Sequence, residues 1–330
     1  MTGENGAGKT SLLEAISYAS TLRSFRGSPR EALVRTGATS AVVRLEGLDR
    51  ERSVLIELEI APARRDQVQL NRQRVARPHE LLETLRTTVF TPDDLALVKA
   101  GPQERRDFLD DVAAGAHPQL TVVRQNVERI LRQRNLLLRQ AGGRLNSDVA
   151  STLDVWDYQL VVAGTKLTEA REAIVLELEP LTSNAYARLT SSRVGLGLRY
   201  RRSFGPDLGA ALERSREEDL KRGLTTVGPH RDELEIESDG LDARTRLSQG
   251  RQRCVTLALR LAAHEVVGAH AGSAPVLLLD DAFSELDDAT ARALVNELPP
   301  GQAILTTAGP IPPGATPGAI ARMADGRVQT

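Results

Sequence analysis

The chain of 330 residues is long enough for one large domain or two ordinary ones, and its 41% hydrophobic and 26% charged residues are typical of a soluble globular protein. It has no apolar run of about 18 residues and no signal-peptide pattern, so the composition predicts a cytoplasmic protein without a membrane span. The net charge of −1 argues against a uniformly basic nucleic-acid binder, and the single cysteine, Cys254, excludes an internal disulfide framework or a cysteine-based metal cluster.

The first predicted element is a phosphate-binding loop. Residues 3–10 match G-x-x-x-x-G-K-[ST] and comprise Gly3, Glu4, Asn5, Gly6, Ala7, Gly8, Lys9 and Thr10. In such a loop, backbone N–H groups and the next helix N-terminus surround phosphate oxygens. Lys9 would reach the β- and γ-phosphates of ATP, and the Thr10 hydroxyl would bind Mg²⁺. The alternative is a glycine-rich turn that ends in Lys-Thr by chance.

A helix and a small antiparallel sheet are predicted next. The helix covers 11–21, and the sheet has strands over 41–47, 53–60 and 67–71 with hairpin turns near 47–52 and 61–65. Residues 87–91 are predicted as a further, separate strand. Pro92 ends the last of these strands.

The middle of the chain changes to helical periodicity. Apolar residues recur every three or four positions from about 117 to 140 and from about 151 to 179, on either side of a turn at 141–143. Two such helices would form an antiparallel pair ~30 Å or more long, here called the arm. Trp156 is the expected anchor of this helix pair.

The first arm helix is rich in arginine. Residues 124–144 contain six arginines and one glutamate: Arg124, Arg129, Arg132, Arg134, Arg139, Arg144 and Glu128. This charge would neutralise several DNA phosphates, with the salt dependence that such contacts bring. Alternatively, the arginines pair with glutamates of the second helix, which has Glu169, Glu172, Glu177 and Glu179.

Strands return after the arm and lead to two adjacent carboxylates. The predicted segments are strands over 195–201, 233–237, 275–279 and 302–306, a helix over 249–268 and a terminal hairpin over 319–328. Asp280 and Asp281 follow the apolar strand 275–279, at the strand end where open α/β sheets bind ligands. Asp280 is therefore the expected Mg²⁺-side carboxylate, and Asp281 the group that orients or deprotonates attacking water. A helix cap is the simpler alternative for this acidic pair.

Two short segments resemble motifs of ABC-type ATPases. Residues 247–251 (LSQGR) resemble their signature, and 284–287 (SELD) resemble the loop after their acidic strand. The order of the four motifs implies a dimer, in which Ser248 and Gly250 of one subunit close on the γ-phosphate held by the other. Taken alone, a serine before a helix is an ordinary N-cap. Ser248 follows Lys9 by 239 residues, far more than in transporter subunits, which favours the DNA-repair and chromosome branch.

Four longer segments together resemble the RecF family of bacterial recombination-mediator ATPases. They are 91–110 (TPDDLALVKAGPQERRDFLD), 133–137 (QRNLL), 228–232 (GPHRD) and 278–287 (LLDDAFSELD). The resemblance covers nearly the whole chain. It implies an α/β fold, with an ABC-type P-loop ATPase head, an antiparallel β subdomain and an inserted α-helical arm. The expected segments are 1–115 for the first part of the head, 116–200 for the arm and 201–330 for the second part of the head.

The resemblance also implies a function and partners. Members bind double-stranded DNA at gap junctions, and single-stranded DNA more weakly, when ATP drives homodimerisation. With RecR and RecO they help to place RecA on gapped DNA, during replication, repair and the SOS response. ATP and Mg²⁺ are the implied cofactors, and ATP hydrolysis is expected to be slow and DNA-dependent. Thr306-Thr307 stands where transporters carry a switch histidine, which favours slow turnover.

The sequence departs from the family pattern at a few positions. Arg251 stands where glutamine is usual, Phe25 where histidine is expected and Ala100 where glycine is usual. Members also carry a few tens of residues before the P-loop, including a strand that enters it. We therefore expect Met1 to be internal to a longer reading frame or the gene to be truncated.

Several alternatives remain open from the sequence. His230 and Arg231 would either sense nucleotide or tie the arm to the head, with the structural role favoured. Arg105 and Arg106 would contact phosphate or cap a helix. Cys254 is expected to pack in the core. An ATP-gated clamp without significant hydrolysis, a transporter subunit and a P-loop nucleotide kinase are the rival functions.

Overall fold

The computed structural model describes residues 1–49, 52–77, 79–191 and 195–329. The helices are α1 (Lys9–Thr21), α2 (His79–Thr84), α3 (Ala96–Lys99), α4 (Pro102–Ala116), α5 (Leu120–Ala141), α6 (Ser147–Thr190), α7 (Leu208–Arg222), α8 (Ala243–Arg246), α9 (Gln249–Ala271) and α10 (Asp288–Asn296). The strands are β1 (Ala41–Asp49), β2 (Arg52–Ile60), β3 (Gln67–Leu70), β4 (Gln73–Arg74), β5 (Thr87–Phe90), β6 (Leu196–Arg201), β7 (Glu233–Ser238), β8 (Leu241–Asp242), β9 (Val276–Asp280), β10 (Ala303–Thr306), β11 (Arg322–Ala324) and β12 (Arg327–Gln329).

The chain falls into two compact units. The first comprises Met1–Asp94, Arg188–Ser192 and Leu257–Thr330, and the second comprises Leu95–Ala187 and Arg193–Thr256. The predicted boundaries after residues 115 and 200 do not coincide with these units, because residues 201–256 group with the helical segment. The division into head and arm segments therefore stays a prediction.

A parallel sheet forms the centre of the first unit. Its strand order is β10-β9-β5, and β9 is an almost wholly apolar strand whose leucines, 277–279, are buried. A strand covered on both faces reads as a continuous apolar run, which is why the sequence pattern identified it. Thr306 at the end of β10 lies opposite Asp280 at the end of β9. The register thus brings two polar side chains to the same edge of the sheet.

An antiparallel sheet, in the order β1-β2-β3-β4, is the second sheet of this unit. Its buried face, with Ile56, Leu58 and Ile60, packs with Tyr18 of α1 and Leu81 of α2. The predicted β subdomain is therefore present, with β4 as an additional short strand. The turn predicted near 47–52 includes residues 50 and 51, which lie outside the described residues.

The second unit is built on the predicted helix pair. The connection after α5 begins at Gly142, which has a left-handed φ of 57°, and α6 then returns along α5. Val127 and Ile130 of α5 share an apolar cluster with Leu160 and Leu167 of α6. Leu208 and Leu212 of α7, a helix not predicted from the sequence, complete this cluster.

Helix α6 is longer than predicted. The predicted end at residue 179 is wrong, because α6 has 44 residues and continues through Pro180 to Thr190. Proline removes one backbone donor from a helix and usually breaks it. Here the turns beyond it bury Ala185, Tyr186 and Leu189, so apolar packing keeps them helical.

A three-stranded antiparallel sheet, β6-β7-β8, completes the second unit. Arg105 of α4 forms a bidentate ion pair with Glu233 of β7, and its guanidinium also donates to the carbonyls of Leu97 and Ala100. Arg105 thus caps the C-terminal end of α3, one of the two roles considered for it. Across the described ranges, no helix combines the length and apolar character needed to span a bilayer.

Candidate nucleotide-binding site

The predicted phosphate-binding loop immediately precedes α1 in the first unit. Gly6 and Gly8 have φ values of 83° and 97°, a region that other residues rarely adopt. Gly8 is the N-cap of α1, and Glu4, Asn5 and Gly6 are exposed. The glycines therefore allow an exposed loop to turn directly into a helix N-terminus, the arrangement that binds phosphate.

The terminal hairpin, β11 and β12, holds this loop in place. The Thr2 N–H donates to the carbonyl of Ala321 at 2.9 Å, and the Met323 N–H donates to the carbonyl of Thr2 at 2.8 Å. The Gly326 N–H donates to the carbonyl of Ala7 at 3.1 Å. The hairpin was predicted, but its contact with the P-loop was not, because no local pattern shows which element a hairpin packs against.

Lys9 is buried and binds the loop itself. Its ammonium donates to the carbonyls of Gly3 at 2.8 Å and Glu4 at 2.9 Å. The Lys9 ammonium therefore lies inside the curve of the loop, on the side where a phosphate would be bound.

The P-loop and the acidic strand meet at Asp280. The Thr10 hydroxyl donates to Asp280 Oδ1 at 3.0 Å, across 270 residues of sequence. The Thr306 hydroxyl donates to the same oxygen at 2.8 Å. Asp280 and Thr306 are buried, so two hydroxyls hold a carboxylate at the carboxyl end of the parallel sheet. The sequence predicted the first of these neighbours and missed the second.

Asp281 adopts a left-handed backbone with φ 47°. Its N–H lies 3.2 Å from the carbonyl oxygen and 3.1 Å from the hydroxyl oxygen of Thr306. Ser284, which begins the S-x-L-D segment, donates its hydroxyl to the carbonyl of Asp281 at 2.9 Å. Left-handed conformations in non-glycine residues are uncommon and concentrate at functional sites. The backbone of Asp281 is therefore fixed by hydrogen bonds with Thr306 and Ser284, and the helix-cap alternative does not apply to this residue.

Asp287 is the residue that caps a helix. Its carboxylate accepts the backbone N–H groups of Thr290 and Ala289 at the start of α10. These hydrogen bonds, led by that of Thr290, lower the pKa of the Asp287 carboxyl. The cap fixes the end of the loop that begins at Asp281.

The signature segment lies in the second unit. Ser248 and Gly250 are exposed, and α9 begins at Gln249. Ser248 Oγ accepts the Arg251 N–H at 3.4 Å, so the serine has N-cap geometry. An exposed serine at the N-terminus of a 23-residue helix is also able to face phosphate on another molecule.

The G-P-H-R-D segment is part of a buried polar network. Asp232 accepts the Tyr200 hydroxyl and the Ser203 N–H, both at 2.7 Å. Arg106 donates to the Asp232 carbonyl at 2.8 Å, at the C-terminal end of the short 3-10 helix Pro229–Arg231. The His230 ring lies 3.0 Å from the Thr225 carbonyl. These contacts give His230 and Asp232 structural roles, whereas Arg231 is exposed.

The arm arginines divide into two groups. Arg134 is fully buried between Asp157 and Asp219, and Arg124 pairs with Asp107 and other acids. The remaining four are exposed: Arg129, Arg132, Arg139 and Arg144. Ion pairs involve three of the six arginines, because exposed Arg132 also lies 4.0 Å from Glu128 of the same helix. Arg124 and Arg134 pair mainly with aspartates, in place of the predicted glutamates of the second helix.

Comparisons with known proteins agree with this arrangement. Residues 1–306 match the family described as RecF/RecN/SMC N terminal domain. The DNA replication and repair protein RecF of Streptomyces avermitilis is 40% identical over 93% of this chain and 86% of its own length. The protein of the same name from Frankia alni is 41% identical over the same shares.

Solved structures show the same fold. A structure described as the recombination mediator protein RecF-ATP in the RecFOR pathway has a TM-score of 0.89 and 28% identity, over 99% of this chain and 90% of that one. The corresponding RecF-ATPrS structure has the same TM-score, with 27% identity. The predicted fold class, an ABC-type ATPase head with an antiparallel sheet and a long helical arm, is confirmed. The chain belongs to the RecF family.

Proposed function

We propose that the chain is an ATP-dependent DNA-binding protein of recombinational repair and replication. It binds duplex DNA at gap junctions as an ATP-driven homodimer, hydrolyses ATP slowly and assists the loading of RecA. The observation that carries this proposal is the hydrogen bond from Thr10 to Asp280, which joins the P-loop to the acidic strand. A relative described as RecF-ATP supports nucleotide binding by this chain.

Each site residue has a proposed role toward MgATP. The loop from Gly3 to Gly8 would surround the phosphates, and Lys9 would bind the β- and γ-phosphates. Thr10 and Asp280 present adjacent oxygens, the donors that Mg²⁺ prefers. The described ranges contain no group of three or more His, Cys, Asp or Glu side chains that could hold a metal ion by themselves. The donor set therefore fits Mg²⁺ that also binds substrate phosphates, and the ion would neutralise their charge.

Asp281 is the proposed general base. Its backbone N–H is hydrogen-bonded to Thr306, and it is the next residue after Asp280, the proposed Mg²⁺ ligand. Ser248 and Gly250 would complete the site from the partner subunit, since both are exposed at the N-terminus of α9 and a helix N-terminus favours phosphate.

DNA contact is assigned to the exposed arm arginines. Arg132, Arg139 and Arg144 are exposed, and Arg132 has only a long, exposed pair with Glu128. Arg124 and Arg134, in contrast, are held in shorter and more buried ion pairs. Replacing the three exposed arginines by alanine should weaken duplex binding and reduce its log–log salt slope by about 0.9 for each DNA phosphate that the protein no longer neutralises. A triple variant of three exposed arginines on the first unit, Arg72→Ala/Arg74→Ala/Arg77→Ala, serves as the charge-matched control.

The partners and location follow from the family. RecF relatives are described within the RecFOR pathway, so RecR, RecO and RecA are the proposed protein partners in the cytoplasm. Family membership removes the transporter and nucleotide-kinase alternatives. The ATP-gated clamp remains the second candidate, because Thr307 follows β10 where transporters carry a histidine.

One experiment separates the ATPase from the clamp. Binding to gapped duplex is measured by fluorescence anisotropy with and without ATP, at two salt concentrations, for the wild type, Lys9→Ala and Asp281→Asn. The proposal expects ATP to strengthen wild-type binding, Lys9→Ala to lose that effect, and Asp281→Asn to bind but release slowly. Unchanged release from Asp281→Asn would favour the clamp, and binding that ignores ATP would refute both.

A further inference from the structure

Helix α6 exposes an apolar stripe to solvent. Four large apolar side chains on it have high exposed fractions: Val155 at 55%, Tyr158 at 72%, Val162 at 57% and Leu176 at 77%. Ala173 and Pro180 are exposed as well. Single exposed apolar residues are ordinary, but a contiguous row of them marks an interaction surface.

The stripe is straight and long. Its members, with the two charged residues between them, are Val155, Tyr158, Val162, Lys166, Glu169, Ala173, Leu176 and Pro180. Spacings of three and four average close to the 3.6 residues of a helical turn, so these residues keep to one face. The opposite face buries Leu160, Leu167 and Ile174. At 1.5 Å per residue, the stripe is about 37 Å long.

The centre of the stripe carries one charge of each sign. Lys166 and Glu169 are both exposed and lie symmetrically about the midpoint between residues 167 and 168. If two copies of α6 lie antiparallel about a two-fold axis at that midpoint, Lys166 of each copy faces Glu169 of the other. The same operation sets Val162 opposite Ala173 and Val155 opposite Pro180. The stripe is therefore complementary to itself in both charge and hydrophobicity.

We propose that this stripe is a homotypic interface, through which α6 of one copy binds α6 of a second copy in antiparallel orientation. The contact needs no nucleotide, so it is distinct from the ATP-driven dimer. A stripe about 37 Å long and about 10 Å wide covers roughly 400 Å² on each copy, or about 800 Å² in total, which is below the roughly 1,000 Å² typical of stable specific interfaces. The association is accordingly weak and reversible, and it strengthens complexes that are already joined elsewhere.

A charge-swap series tests the pairing. Lys166→Glu alone places like charges opposite each other, and so does Glu169→Lys alone. Each should weaken nucleotide-free self-association in sedimentation equilibrium by about tenfold or more. An equimolar mixture of the two variants should associate, because each chain then offers the charge that the other lacks. The double swap should also restore association. If the mixture associates no more strongly than either variant alone, the antiparallel pairing is wrong.

Cysteine cross-linking tests the register even if the association is too weak to sediment. The chain has one native cysteine, Cys254, which is buried. In the Val162→Cys/Ala173→Cys protein, the two positions oppose each other across the axis and should form intermolecular disulfides under mild oxidation. In Val162→Cys alone, the two thiols lie about 16 Å apart along the axis, beyond disulfide reach. A double variant that cross-links at least fivefold more than either single variant supports the register, and equal yields overturn it.

A variant of the nucleotide site tests whether the α6 contact is independent of the ATP-driven dimer. Both series are repeated on a Lys9→Ala background, where the ATP-driven dimer is lost under the proposed function. Homotypic cross-linking should persist there. If the Lys9→Ala background loses both ATP binding and cross-linking, the contact belongs to the ATP-driven dimer. If cross-links form only with added RecR or RecO, the stripe binds another protein. Either result rejects the homotypic interface.

Discussion

The hydroxyl of Thr306 holds the Asp280 carboxylate from one side while Thr10 holds it from the other. Thr306 also lies within hydrogen-bond distance of the Asp281 N–H, so one residue of β10 fixes both acids. The sequence motifs named both Thr10 and Asp280 for one site, and the two side chains are hydrogen-bonded in the structure. Sequence reasoning gave Thr306 no role in positioning the acids, although a threonine ending an apolar strand was a usable signal.

Replacing Thr306 by valine keeps the side-chain volume and removes this hydroxyl. The Asp280 carboxylate then loses a buried partner, so we expect the free energy of unfolding to fall by about 1–3 kcal/mol. ATP hydrolysis should fall more than ATP binding, because the Asp281 N–H loses one of its two acceptors on Thr306 and keeps only the backbone carbonyl. Urea unfolding and a steady-state ATPase assay measure the two effects. Thr152→Val, at an exposed hydroxyl that bonds only within α6, should change neither.

Gly3 is the loop position most intolerant of a side chain. A Cβ there would lie 2.3 Å from the Met323 carbonyl oxygen, so Gly3→Ala must displace either the loop or the terminal hairpin. Fluorescent-ATP titration should show at least tenfold weaker binding, since the loop N–H groups lose their alignment. Gly101→Ala is the control, because its Cβ would have no atom within 4 Å. Wild-type affinity in Gly3→Ala would show that the hairpin does not position the loop.

At the scale of elements, buried ion pairs join α5 to α6 and α7 within the second unit. Arg134 donates at 2.7 Å to Asp157 of α6 and at 2.7 Å to Asp219 of α7, with no exposure to solvent. The sequence presented Arg134 only as one of six arm arginines. Helical periodicity places a residue on a face, but it does not show that a third helix, α7, covers that face.

Arg134→Met should destabilise the protein strongly. It leaves the buried Asp219 carboxylate without its cation, whereas Asp157 keeps an ion pair with Arg216. Removing one partner of a buried pair costs about 3–5 kcal/mol in the free energy of unfolding. Arg132→Met, on the exposed side of the same helix, should cost less than about 0.5 kcal/mol. Thermal unfolding and urea titration of the two variants provide the comparison. Equal stability would mean that the buried pairs contribute little beyond their apolar surroundings.

Local patterns predicted most elements and missed how they join. The strands around the acidic pair, the antiparallel hairpins and both arm helices follow from period and turn residues. The continuation of α6 beyond Pro180 was missed, because a proline usually ends a helix and the burial of Tyr186 is a tertiary property. The grouping of residues 201–256 with the helical unit was missed for the same reason.

At the scale of the whole molecule, two buried histidines link stability to pH. Burial lowers the pKa of His230 and of His264 to about 4 each, from about 6.5 in the unfolded chain. Between those values the unfolded chain binds more protons than the folded one, so the stability present above pH 6.5 is lost as pH falls toward 4. Acidification alone should therefore loosen the fold.

The expected loss is about 2 kcal/mol per histidine between pH 6.5 and pH 5, at about 1.4 kcal/mol per unit. Urea unfolding at both pH values measures it. The difference between wild type and a His230→Gln/His264→Gln variant isolates the histidines from the carboxylates. The variant should show a flatter pH dependence, whereas His270→Gln, at an exposed position, should match the wild type. Parallel curves for all three proteins would contradict the assignment.

Cys254 gives the molecule a built-in reporter. It is buried near the start of α9, six residues after Ser248, and it is the single thiol in the sequence. A thiol reagent can modify it only when this part of the helix transiently opens, so the modification rate measures an opening equilibrium. Binding that holds the helix N-terminus against a phosphate would slow that reaction. The rate of Cys254 modification therefore reports ATP binding in the native sequence, without an introduced label.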